Sequence, residues 1–280
     1  MIAFFTEPFA FPFMIRALVA SVLTGAVCGL VGTYVVLRGM AFFGDALAHS
    51  VLPGVAVGYL VGRGSRTVVF GWALGSAAVA ALAMGALARR ARLKEDTAIG
   101  IVFVSMFALG IALISTTRGY AVDLAHFLFG NVLGVSPGQL QMIAALSGFV
   151  ALAVIVLRHG FLVVSFDPVL AHTLRLPVHL LNNLLLLLLA ATVVVCLQSV
   201  GIALTLAMLV LPPSTGYLLA RRLPAMMSIS TSAGVLAGVL GLYLSYYARI
   251  AAGPAVVLVG VGIFLLVLVL SPRRGQLLVR

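Results

Sequence analysis

Asp45 and His49, in the stretch MAFFGDALAHSVLPG, are the residues whose types and spacing best suit chemistry. Four positions apart, they share one face of a helix. Both sit at the edge of, or within, an apolar segment. An ionisable group at membrane depth costs about 2.5–3.5 kcal/mol on insertion scales, so one that is kept there is usually used. A carboxylate oxygen beside an imidazole nitrogen suits Zn²⁺, Mn²⁺ or Fe²⁺. Two ligands are too few for a cage, but a two-fold dimer would gather two Asp and two His. The spacing also allows a local reading, with Asp45 capping a helix and His49 hydrogen-bonded nearby. Pro53 and Gly54 follow one turn later. Proline frees a carbonyl and breaks or kinks the helix, and discontinuous membrane helices are where ions are held.

Other titratable groups are weaker. Asp123 and His126 form a second pair, three apart, in the segment between two apolar runs, where they could guide a cation or serve only as loop residues. His172 and His179 are seven apart, but Pro177 interrupts any helix joining them, which predicts no shared site. Asp167 before Pro168 reads as a helix N-cap followed by an N1 proline. Cys28 and Cys196 lie inside apolar segments and read as small core residues, neither a disulfide nor a metal motif. The single lysine, Lys94, follows RRARL, so there is no phosphate-binding G-x-x-x-x-G-K-[ST] loop. G-x-S-x-G, H-E-x-x-H and C-x-x-C are also missing, and no catalytic set is legible; the expectation is that the chain is not an enzyme.

The elements that must hold these residues follow from composition. Of 280 residues, 63% are hydrophobic and 8% charged, with mean hydropathy +1.26. That leaves no polar skin for a water-soluble fold and too much apolar content for disorder. The apolar runs are continuous and not alternating, which argues for helices against an outer-membrane barrel. The predicted spans are 15–37, 46–62, 67–88, 97–115, 138–157, 181–199, 201–219, 225–247 and 255–271. The second is short and reads as broken or partly inserted, so the bundle has eight or nine spans. The net charge of +11 comes from basic residues scattered between apolar runs, a positive-inside pattern with no nucleic-acid signature. Placing RRARLKED (89–96) inside puts twelve basic residues on the cytoplasmic side and five outside. With nine spans the N-terminus is external and the C-terminus cytoplasmic; with eight the N-terminus moves inside. Glycines four apart (Gly25/Gly29, Gly54/Gly58/Gly62, Gly71/Gly75, Gly234/Gly238) predict close helix packing. Residues 158–180 and 212–224 read as long cytoplasmic connections. In the second, Pro212-Pro213 should end a span and Ser214 and Thr215 should start a short helix closed by Pro224. Tyr217, Leu218, Arg221 and Arg222 of that helix would then face a soluble partner.

The stretch VVLRGMAFFGDALAHSVLPGVAVGYL (35–60) resembles the zinc/manganese-type metal permease family of ABC importers. KEDTAIGIVF, VDLAHFLFGNVLGVSPGQL, SFDPVLAHTLRLPV, VGIALTLAMLVLPPSTGYLLARRLP and AGPAVVL match in the same order, so the resemblance covers essentially the whole chain. It implies an all-α, type II ABC importer permease fold similar to cobalamin and siderophore permeases, with 1–280 as a single transmembrane permease domain. It implies a homodimer in a bacterial inner membrane, a cytoplasmic ATPase subunit that binds the ATP, and an extracytoplasmic metal-binding protein. The family's metal pathway falls on Asp45 and His49 and its coupling segment on about 212–224. The expected cargo is Zn²⁺, then Mn²⁺, with no permanently bound cofactor. The competing readings are a permease for iron chelates or cobalamin, whose wide pathway needs no ionisable pair, and an ATPase-independent secondary transporter. The latter would need an internal coupling-ion site, and only six acids exist, most of them in loops.

Overall fold

The computed structural model describes residues 11–62, 65–116 and 134–271, and among them all regular structure is helical. The helices are α1 (Pro12–Leu37), α2 (Phe43–Ser50), α3 (Leu52–Gly62), α4 (Arg66–Arg90), α5 (Glu95–Ser115), α6 (Pro137–Phe166), α7 (Pro168–Thr173), α8 (Val178–Leu219), α9 (Leu223–Ala248) and α10 (Ala252–Leu270). Eight stretches are long and apolar enough to cross a membrane, and Leu204–Leu219 is a shorter apolar helix. The second span is broken as expected: α2 and α3 meet at Val51, two residues before Pro53.

α1 runs through the middle of the bundle, packed on α6, α8 and α9. Small residues make this possible. A Cβ at Gly25 would stand 2.5 Å from the Gly234 carbonyl oxygen of α9, so the two backbones touch with no side chain between them. Gly71 and Gly75 differ from the expectation, since a Cβ at either meets nothing within 4 Å. Near the opposite end of α1 the fully buried Tyr34 donates to the Arg158 carbonyl at 3.2 Å and stands edge-on to Phe161.

α8 is two helices joined at Gly201, whose φ of 78° and ψ of 176° lie outside the helical region. Its neighbours along α1 show that the chain turns back there. Asn182 bonds to Arg38 and Cys196 touches Cys28, yet Leu209 and Pro213 return to Gly32. The second half of α8 therefore retraces the bundle toward the end from which the first half came. Counting it as a pass gives nine among the described residues, with Phe11 against Tyr246 at one end of the bundle and Ser271 against Leu218 at the other. The basic residues at Arg38, Arg89 and Arg221 gather at one end, which the positive-inside rule assigns to the cytoplasm.

Two connections differ from the sequence reading. α6 does not stop at Arg158 but continues to Phe166, and the rest of 158–180 is α7, a turn and the start of α8. Arg158 is only half-buried, and a long cationic side chain can lie along a helix with its head in water, so it need not end one. Likewise Pro212-Pro213 do not end the seventh pass. α8 runs through both to Leu219, and Ala220 is the first extended residue. Pro213 deprives the Leu209 carbonyl of its amide partner; that oxygen abuts Gly32, where a Cβ would come within 2.3 Å. Prolines are tolerated inside membrane helices where the surrounding bundle accommodates the freed carbonyl. Ser214 and Thr215 therefore cap nothing, and Thr215 donates back to the Leu211 carbonyl at 2.9 Å.

Candidate functional site

Asp45 is the third residue of α2, and Phe42 occupies the N-cap with no side-chain capping bond. The capping role is thus not taken, although the carboxylate remains in the first turn, where the helix dipole favours it. Its Oδ1 lies 3.7 Å from His49 Nε2, with the side chains 37% and 28% exposed. Gly44, next in the chain, packs against Leu206 and Leu209 of α8. That is the level of Gly32, about 8 Å inside the end of α1 at 1.5 Å per residue. The pair therefore stands inside the apolar layer, toward its cytoplasmic side.

α5 positions the imidazole. Phe107 meets the His49 ring edge-on with centroids 5.5 Å apart, and Phe103 lies at 5.8 Å. These aromatics, four apart on α5, hold the ring without offering it a hydrogen bond. His49 Nδ1 is buried and has no partner among the described residues. The local hydrogen bond that would have explained His49 without a ligand is missing from that nitrogen. The far side of α2 is tied down by polar bonds: Ser50 donates to the Ala46 carbonyl at 2.7 Å, and Ser76 of α4 donates to the Ser50 carbonyl at 2.9 Å. Among the described residues no three His, Cys, Asp or Glu groups converge, so one chain supplies two donors at this place. The expected second pair, Asp123 and His126, lies outside the described residues.

The segment expected to meet a soluble partner is divided by burial. Thr215 (2% exposed) and Leu218 (8%) face inward and cannot be reached, because α8 packs on α9 and α10 here. Ser271 donates to the Leu218 carbonyl, and Ser214 is half-buried. Tyr217, Leu219, Arg221 and Arg222 remain exposed. A second face appears at the same end. α7 begins as expected, with Asp167 accepting from Leu170 N–H at 2.9 Å ahead of Pro168. It exposes Phe166, Val169, Leu170 and Leu174, and Val169 is 75% exposed.

His172 of α7 and His179 of α8 are not kept apart by Pro177. The turn at 174–177 brings their rings face to edge with centroids 6.4 Å apart. They open onto a cavity with Arg38, Arg89 and Asn182. Arg38 donates to Ser165 at 2.9 Å and to Asn182 Oδ1, and Arg89 donates to Asn183 Oδ1 at 2.9 Å. Burial pulls the Arg38 pKa below its ordinary value, and the nearby Glu95 carboxylate opposes this. Neither the cavity nor its asparagines were singled out from sequence. The signal was available: Asn182-Asn183 interrupts the apolar run VHLLNNLLLL, where polar groups need partners. The two cysteines are buried core residues as expected, with their sulfurs in contact at 3.0 Å between α1 and α8.

The ABC 3 transport family model matches residues 10–271. The chain is 42% identical over 274 residues to the manganese transport system membrane protein MntC of Halalkalibacterium halodurans, covering 98% of this chain and 92% of that one. It is 39% identical to the chelated iron transport system membrane protein YfeD of Yersinia pestis, covering 94% and 87% of the two chains. Among solved structures, PsaBC from Streptococcus pneumoniae in complex with Fab superposes with a TM-score of 0.85 at 36% identity, over 99% of both chains.

Proposed function

Since the chain belongs to the ABC 3 transport family and is a multi-pass permease subunit of a metal importer, we propose that its cargo is Mn²⁺, with Asp45 and His49 as pathway ligands. The observation that carries this is the His49 ring: clamped by Phe103 and Phe107, its Nδ1 buried without a partner among the described residues, and its Nε2 3.7 Å from the Asp45 carboxylate. Oxygen and nitrogen donors together suit Mn²⁺, Zn²⁺ and Fe²⁺, and geometry more than affinity sorts them. The sequence reading placed Zn²⁺ first. The names of the relatives support moving Mn²⁺ ahead of it, and the relative named for chelated iron keeps iron in the comparison.

In this proposal 1–280 acts as one permease domain, and two copies pair so that two Asp and two His complete the ligand set. An ATPase subunit works from the basic end and a metal-delivering protein from the other. The ATPase docks on the apolar face of α7 together with Tyr217, Arg221 and Arg222, which supply exposed apolar and cationic groups at the same end. Asp123 and His126 receive the ion on the outer side. The test is uptake into proteoliposomes containing this chain with its ATPase, with Mn²⁺, Zn²⁺ and Fe²⁺ in competition. Uptake of Mn²⁺ that depends on both Asp45 and His49 is the expected result. Preference for a metal chelate over every free ion would overturn it.

A further inference from the structure

The basic end of the bundle contains a cavity of about 470 Å³ that the metal pathway does not use. Its charged groups are Arg38 at the end of α1, Arg89 in the last turn of α4, and Glu95 at the start of α5. With the imidazoles neutral, this leaves a net charge of one positive unit. The described bonds of both guanidinium groups go to neutral partners: Ser165 and Asn182 for Arg38, and Asn183 for Arg89. These partners orient the cations without cancelling them. Among the described residues Arg89 Nη1 is buried and meets no acceptor, whereas buried donors in folded proteins are ordinarily paired. Guanidinium groups present planar, paired N–H donors that match phosphate oxygens. Arg90, Arg92, Lys94 and Arg175, close in sequence to the lining residues Arg89, Glu95 and His172, are exposed. A metal cation drawn to His172 and His179 would face two fixed guanidinium charges in the same cavity, so the pair does not make a second cation site.

We propose that this cavity binds a phosphate group, with Arg89 as its main donor and Arg38 beside it. Basic pockets between helices at the cytoplasmic leaflet hold anionic lipid headgroups, and a free phosphate ion offers the same oxygens.

The experiment takes the purified, delipidated full chain through two arms. One titrates inorganic phosphate and follows thermal melting. The other reconstitutes the chain into phosphatidylcholine nanodiscs with or without phosphatidylglycerol and follows lipid retention by native mass spectrometry. Saturable binding in either arm, weakened at least tenfold by Arg89→Gln and restored in part by Arg89→Lys, is the expected result. Binding in the lipid arm alone identifies a headgroup, and binding in both arms identifies the phosphate itself as the determinant. Glu95→Gln removes the opposing charge from an exposed position and should tighten binding, which keeps the proposal testable if Arg89→Gln fails to fold. No saturable binding in either arm overturns the proposal, as does binding that is the same in Arg89→Gln and Glu95→Gln. Mn²⁺ binding that His172→Ala abolishes, with no phosphate bound, also overturns it. None of these outcomes depends on Asp45 or His49, so the cargo assignment stands or falls separately.

Discussion

Two pairs of side chains in this protein hold similar chemistry in opposite settings. Asp45 and His49 lie on one turn of α2, half-buried, with an aromatic clamp and an unpartnered imidazole nitrogen. His172 and His179 come from two helices, joined by a proline-containing turn, and stand exposed beside two arginines. The first pair has a carboxylate to favour a cation and a low-polarity surround that strengthens the attraction. The second shares its cavity with two guanidinium groups against a single carboxylate, Glu95, a balance that opposes one. Closeness of two imidazoles is therefore a poor guide to metal binding, and the sign of the fixed charge around them is a better one. The two settings also differ in cost: an ionisable pair in an apolar layer carries an insertion penalty that usually accompanies use, whereas the exposed pair costs little.

The strongest way to break this contrast is to remove the first pair. Asp45→Ala and His49→Ala should each reduce metal uptake to background while the protein still inserts and dimerises, as read by proteoliposome uptake and size-exclusion chromatography. Normal uptake by a well-expressed double variant would remove the pair from the pathway. The helix that carries His172 comes next. Val169→Glu with Leu170→Glu places two charges on the exposed face of α7 and should stop the ATPase from co-purifying, or uncouple hydrolysis from transport. Tyr217→Glu alone should do less, because its flanking Leu218 is already buried in the bundle. The reverse order of severity would return the docking site to 212–224.

A smaller effect sharpens the chemistry of the first pair. Asp45→His replaces a hard oxygen donor with an imidazole, which favours Zn²⁺ over Mn²⁺. The competition ratio should move toward Zn²⁺ by about tenfold, equivalent to about 1.4 kcal/mol. The smallest effect is expected at the second pair. His172→Ala with His179→Ala should lower uptake only modestly and leave the order of preferred metals unchanged, measured in the same competition assay. A changed order would put those imidazoles on the cation's route.

The membrane-spanning architecture and the Asp45/His49 pair were legible in the chain because both are written in short-range spacing. An apolar run of about 20 residues has few alternatives to a spanning helix, and residues four apart share a face wherever the helix goes. Asp167 and Pro168 announced the start of α7 for the same local reason. The errors came where a local rule met a distant neighbour. Pro212 and Pro213 look like helix ends, but the Leu209 carbonyl that Pro213 frees lies against Gly32, and α8 continues. Thr215 and Leu218 look available for a partner, but α9 and α10 cover that face.

By itself, then, the sequence determined the class of fold, a bundle of eight or nine spans with a break near residue 200, and an ionisable pair one turn apart in an apolar run, since hydropathy and helical period act within a few turns. Tertiary structure decided the rest. It set the meeting of His172 with His179 and the aromatic clamp on His49. It also gathered Arg38, Arg89 and Asn182 around one cavity. Each of these depends on which helix packs against which, and that choice is made by close backbone approach and side-chain volume across the bundle, not by spacing along the chain.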